Sequence, residues 1–171
     1  MTGVEQQHAR RAVLDPVEAL VTAGLSNPAT LPSQGAAESS TTTTADRTTP
    51  DATEHCGTIN IIVGTTRALP PAALASLLAG VAEAKTATLS HRTDFTGTTS
   101  DAVIVGSDPA GEPAQFVGSA TTVGQAARAC VRDGLTAAVD ARYPDGELPR
   151  SVADADYGAA TTATATVSTP K

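Results

Sequence analysis

The chemistry this chain can support is concentrated in one lysine and the polar loop that follows it. In the apolar run 72–89, Leu74, Leu77, Leu78 and Val81 recur at i, i+3, i+4 and i+7, the spacing of one buried helix face. Continued at about 100° per residue, that stripe next reaches Lys85. An ammonium on the apolar side of a helix has two uses. It lays its stem along the core edge and reaches water, or it sits at the rim of a site, binding an oxyanion or orienting a carboxylate. Glu83 projects nearly opposite. Downstream, Thr96-Gly97-Thr98-Thr99-Ser100-Asp101 closes a polar loop that leads into an apolar strand. Small residues at a strand start offer backbone N–H groups and hydroxyls to a phosphate or an oxyanion, although Thr- and Gly-rich loops also serve as plain turns.

The elements that must position these groups follow from pattern. Ile59–Val63 is β-branched apart from Asn60 and is bracketed by Gly57 and Gly64, which predicts a strand at 58–63. Pro70-Pro71 opens the helix at 72–89, proline being tolerated in a first turn. Ala102–Gly106 reads as a strand, Asp108-Pro109-Ala110-Gly111 as a turn, and Gln115–Gly118 as the returning partner of a hairpin. Thr121 or Thr122 caps a helix at 122–139 whose buried face carries Val123, Ala127, Val131 and Ala138. Ahead of these lie a short helix over the charged opening and a strand at 18–23, closed by Asn27-Pro28. The opening lacks a cap, so the chain is expected to begin inside a longer domain. The Ser/Thr-rich stretch at about 30–55, including Thr41-Thr42-Thr43-Thr44, has nothing to offset the entropy of ordering and is expected to be a disordered insertion. The fold class is a single mixed αβ domain at 1–143, a mixed β-sheet packed with amphipathic helices, followed by a disordered acidic tail at 144–171.

Composition narrows the function. The formal net charge is −7, against the clustered cations a nucleic-acid surface needs. Lys85 and Lys171 stand against nine arginines and eighteen carboxylates. A high-GC genome would also deplete lysine but would not give the acidic excess, so a protein from a salt-rich cytoplasm is expected. Cys56 and Cys130 are too few for a disulfide framework, and His8, His55 and His91 fall into no ligand spacing, so no metal site is expected. Residues 1–12 are polar and charged rather than a signal peptide, and no run spans a bilayer, so a cytoplasmic protein without membrane or nucleic-acid partners is expected.

Four blocks, in this order, carry a resemblance: Thr22-Ala23-Gly24-Leu25-Ser26-Asn27, Gly57-Thr58-Ile59-Asn60-Ile61-Ile62-Val63, Glu83-Ala84-Lys85-Thr86-Ala87 and Thr96-Gly97-Thr98-Thr99-Ser100-Asp101. The series resembles that of adenosylcobinamide amidohydrolases, an archaeal corrinoid-salvage family also called CbiZ, from about residue 18 to 140. The resemblance implies hydrolysis of the amide joining aminopropanol to the corrinoid ring, releasing adenosylcobyric acid. It implies no cofactor, since the corrinoid is the substrate. Family members usually carry more sequence ahead of the Thr-Ala-Gly block, which makes Met1 a late start. Their loop reads Thr-Gly-Thr-Gly-Thr-Asp, so Thr99 here puts a side chain where glycine would let backbone approach the substrate.

Amide hydrolysis needs an activated water or nucleophile, donors for the tetrahedral oxyanion, and an acid for the leaving amine. No Gly-x-Ser-x-Gly elbow is present. Within the matching blocks, Asp101 or Glu83 is the expected base, with Lys85 orienting that carboxylate. Asn60 and the N–H groups of 97–100 are the expected oxyanion site, and Asn27, Thr58, Gly97, Thr98 and Ser100 complete the substrate-binding set. The helical wheel already separates Glu83 from Lys85. The competing readings are a corrinoid- or nucleotide-binding αβ module without catalysis, and an inactive fragment. The oligomeric state stays open, a homo-oligomer included.

Overall fold

The computed structural model describes residues 6–32, 57–155 and 157–170. Its centre is a four-stranded mixed sheet in the order β1-β2-β4-β6, with β1 at Arg10–Leu14, β2 at Val17–Ala23, β4 at Ile59–Thr65 and β6 at Ala102–Ser107. β1 and β2 form a hairpin through Asp15-Pro16, whose peptide bond is cis. β2 pairs antiparallel with β4, and β4 pairs parallel with β6. Between those two strands the chain crosses over through helix α1, Pro71–Ser90, the connection a parallel pair requires. Helix α2, Thr122–Arg142, lies over β1 and β2 and alongside α1.

One face of the sheet therefore meets two helices and the other meets none among the described residues. Ala19, Val21, Ile59, Ile61 and Val63 are wholly buried against Val81, Val131, Leu135 and Ala138. The alternate residues Leu20, Ile62 and Ile104 are 44%, 46% and 58% exposed. This two-layer arrangement lets a core almost free of aromatics close, because β-branched strands and an alanine-rich helix pack at short range. The Cys130 thiol faces the Val17 carbonyl in that core, and burial pushes it up, away from the thiolate that nucleophilic chemistry needs.

Several sequence expectations are corrected. The charged opening forms strand β1 after one 3-10 turn at Gln6–His8 rather than a short helix, because pairing with β2 takes up its backbone. Gln115–Gly118 is a loop and not the hairpin partner of β6. The chain after β6 pairs instead with Ala68, through Ala68 N–H to the Glu112 carbonyl at 3.0 Å and Ala114 N–H to the Ala68 carbonyl at 2.9 Å, so the antiparallel character comes from β1 and β2. In α1 the buried side runs through Ala73, Leu77, Val81, Ala84 and Thr88, leaving Leu78 exposed. By length and mean hydropathy (1.2) this helix does reach the composition of a membrane-crossing segment, contrary to expectation, yet its apolar side packs in the core. The stretch expected as a tail contains a 3-10 turn at Val152–Asp154 and strand β7, Ala159–Ala160, which sits parallel to β3, Pro28–Thr30. The expected insertion at 30–55 lies outside the described residues beyond Pro32.

The expected cap of α2 is Thr121, whose Oγ1 accepts from the Gly124 N–H at 3.1 Å. Replacing Thr121 with alanine is expected to cost about 1 kcal/mol and lower the melting temperature by about 2–4 °C, read by circular dichroism.

Candidate functional site

A second, small sheet does the positioning. β3, Pro28–Thr30, pairs antiparallel with β5, Gly97–Thr98, and parallel with β7. It pins Asn27 against the loop 98–101 at the end of the large sheet where β2 ends and β4 and β6 begin. All four sequence blocks meet there, though they lie up to seventy-nine residues apart (Thr22 to Asp101).

At the centre is an ion pair between the Lys85 ammonium and Asp101 Oδ2, each side chain only 12% exposed. Asp101 also accepts from the Thr98 hydroxyl at 2.5 Å, from the Thr98 N–H at 3.1 Å and from the Ile59 N–H at 3.4 Å. Four donors occupy roughly the four lone-pair positions a carboxylate offers. Gly97 leaves room for the pair. A Cβ at that position would collide with the Asp101 carboxylate and lie 2.6 Å from Lys85 Nζ. Gly97→Ala is therefore expected to push the pair apart at a cost of about 1–3 kcal/mol; a melting temperature equal to wild type would sink that account. Gly57 plays the same part for the backbone, since its Cβ would lie 2.6 Å from the Gly24 carbonyl oxygen.

The remaining expected residues fall on the other side of the strand ends. Alternation puts Asp101 on the helix side, and Ser100, Thr58 and Asn60 on the open side. Thr58 and Ser100 share a hydroxyl–hydroxyl bond of 2.5 Å. Asn60 Nδ2 donates to Thr22 Oγ1 at 3.1 Å. Asn27, 3% exposed, links the two sides. Its Nδ2 donates to Thr99 Oγ1 at 2.6 Å and its backbone carbonyl accepts from the Thr99 N–H at 3.0 Å. Its Oδ1 is buried without a hydrogen-bond partner among the described residues, an acceptor left over in an otherwise satisfied cluster.

Three expectations change here. Glu83 is not brought to the site: one turn geometry carries it away from Lys85 to Arg128 of α2, an ion pair of 2.8 Å on the surface. Asn60 and the loop N–H groups do not form one oxyanion site. The Thr98 and Thr99 N–H groups are engaged by Asp101 and Asn27, and Asn60 lies across the sheet from them. Thr99, expected as a hindrance, supplies the hydroxyl that holds Asn27. Sequence reasoning missed Ser26, whose Oγ accepts from the Gly57 N–H at 2.6 Å and ties two of the blocks together; its place in the Thr-Ala-Gly-Leu-Ser-Asn block was the available signal. Among the described residues no group of three or more His, Cys, Asp or Glu is arranged to hold a metal.

An αβ domain that gathers a shielded lysine–carboxylate pair, hydroxyls and amides at one sheet end has the parts of a small-molecule hydrolase. The comparisons specify which. The profile of the family described as adenosylcobinamide amidohydrolase matches residues 1–147. An adenosylcobinamide amidohydrolase of Halobacterium salinarum is 49% identical over 170 residues, covering 99% of this chain and 69% of the relative. This chain belongs to the adenosylcobinamide amidohydrolase family. No solved structure matches it.

Proposed function

We propose that the chain hydrolyses the amide that joins aminopropanol to the corrinoid ring of adenosylcobinamide, releasing adenosylcobyric acid, in the cytoplasm. The supporting observation is that the four family blocks converge on the Lys85–Asp101 pair at one sheet end. Lys85 is the group that acts. Its ammonium, held by Asp101 and shielded from water, stabilises the oxyanion of the tetrahedral intermediate, where a fixed charge in a low-dielectric site is most effective. Asp101 is a positioning residue rather than the base, because its lone pairs already serve Lys85, Thr98 and Ile59. The exposed Ser100 hydroxyl and Thr58 bind the scissile amide from the open side, and Asn27 fixes the loop that carries Ser100. No cofactor takes part: water adds to the amide carbon, the C–N bond breaks as the oxyanion collapses, and the leaving nitrogen takes up a proton, so that aminopropanol departs as an amine.

The test is incubation of the purified protein, in molar salt, with adenosylcobinamide, followed by chromatography for adenosylcobyric acid. Product formation is expected. Tight corrinoid binding with no product would favour the binding module instead.

A further inference from the structure

Resting on that reading, we propose that the open face of the four-stranded sheet is the platform on which the flat corrin ring lies. Leu20, Ile62 and Ile104 are paired directly across β2, β4 and β6, forming one apolar row that nothing among the described residues covers. Exposed aliphatic side chains in register across three strands form a patch rather than scattered surface residues.

The next row supplies an independent observation. Gly64 and Gly106 are paired one residue before the ends of β4 and β6, beside Glu18 of β2, which is ion-paired with Arg11. Neither has a positive φ, and a Cβ added at either would meet nothing within 4 Å. Glycine carries no side chain to pack on a sheet, and neither a positive φ nor a close internal contact requires it at this pair. A ligand approaching the backbone closely does. The two rows together make a floor that is flat along β4 and β6, apolar in its next row, and bordered on the β1–β2 side by the exposed Arg11–Glu18 ion pair.

On its other side the apolar row gives way to Thr22, Asn60 and Ala102, and then to the Thr58–Ser100 hydroxyl pair at the catalytic end. Alternate residues on a strand are about 6.7 Å apart, so from the glycine row to the Asn60 row the floor runs about 13 Å. That suits a flat macrocycle whose rim carries amides. The ring lies over Ile62 and Ile104, its rim amides reach Asn60 and Thr22, and the arm bearing the scissile amide turns over the strand end toward Ser100 and Lys85. Cavities of about 560 Å³ beside Phe116, about 370 Å³ beside His91 and about 300 Å³ beside Gly80 open on the helix layer instead.

The experiment fills the floor. Gly106→Leu and Gly64→Leu place side chains in open space over the sheet, and Gly80→Leu does the same on α1. Binding of adenosylcobinamide is measured by equilibrium dialysis, with KM, kcat and melting temperature alongside. Both sheet variants are expected to weaken binding and raise KM at least tenfold, with melting temperatures at or above wild type, while Gly80→Leu changes neither. Unchanged binding in Gly106→Leu overturns the platform, as does weakening confined to Gly80→Leu. A change in oligomeric state with binding intact overturns it in favour of a face between copies of this chain. If wild type hydrolyses adenosylcobinamide and the sheet variants match it, only the platform fails; if wild type neither binds nor hydrolyses it, the function fails and the platform with it.

Discussion

Lys85→Met is expected to lower kcat for adenosylcobinamide about 10²–10³-fold, the loss typical of removing one oxyanion donor, with KM changed little. The reasoning starts from where the charge is held. The ammonium sits in a side chain only 12% exposed, on the apolar side of α1, and its partner is an aspartate fixed by three further donors. Such a charge is oriented before substrate arrives, so it acts on the transition state without reorganising. Methionine keeps the stem and removes the charge, and Asp101 retains Thr98 and Ile59, so the fold survives. Lys85→Arg is not expected to restore the rate: the planar fork of a guanidinium does not place a compact charge where the Lys85 ammonium sits against Asp101. Steady-state kinetics decide the matter. A kcat within threefold of wild type in Lys85→Met would remove this lysine from the chemistry and leave it a structural ion pair.

Lys85 was legible in the sequence because one cation breaks an apolar stripe, and a helix repeats locally. The strand–helix–strand crossover from 59 to 107 was legible for the same reason, each element being set by its own composition. What could not be read was pairing between distant segments. Whether β6 meets Gln115–Gly118 or stands at an edge, and whether Ala12-Val13-Leu14 joins a helix or the sheet, depends on which backbone reaches which partner; neither choice leaves a periodic trace. The site shows the same division. The four blocks announce that Asn27, Thr58, Lys85 and Asp101 belong together, but not that the strand ends divide them, Lys85 and Asp101 beneath the sheet and Thr58, Ser100 and Asn60 above it. Glu83 was misread because it sits in the same block as Lys85, although two residues along a helix turn a side chain by about 200°.

Asp101→Leu is expected to be the most destabilising single substitution at the site, costing about 3–5 kcal/mol. At about 2–4 °C per kcal/mol for a chain of this size, the melting temperature falls by about 10 °C. The loss has two sources. Leucine strips the acceptor from the Thr98 hydroxyl and N–H and from the Ile59 N–H, which hold the loop to the start of β4. It also leaves the Lys85 ammonium shielded from water with no other hydrogen-bond partner among the described residues. A buried pair broken on one side costs more than a pair never present, because desolvation of the survivor goes uncompensated. The two changes should therefore not add. Lys85→Met alone costs less, since Asp101 keeps three donors. In the double variant, Lys85→Met removes the orphaned charge and recovers about 1–3 kcal/mol of the Asp101→Leu loss. Thermal melts of the four proteins in molar salt measure this directly. Additive losses, or an Asp101→Leu melting temperature within 2 °C of wild type, would mean that the pair is solvated in the folded protein and that Asp101 is free to serve as the base after all.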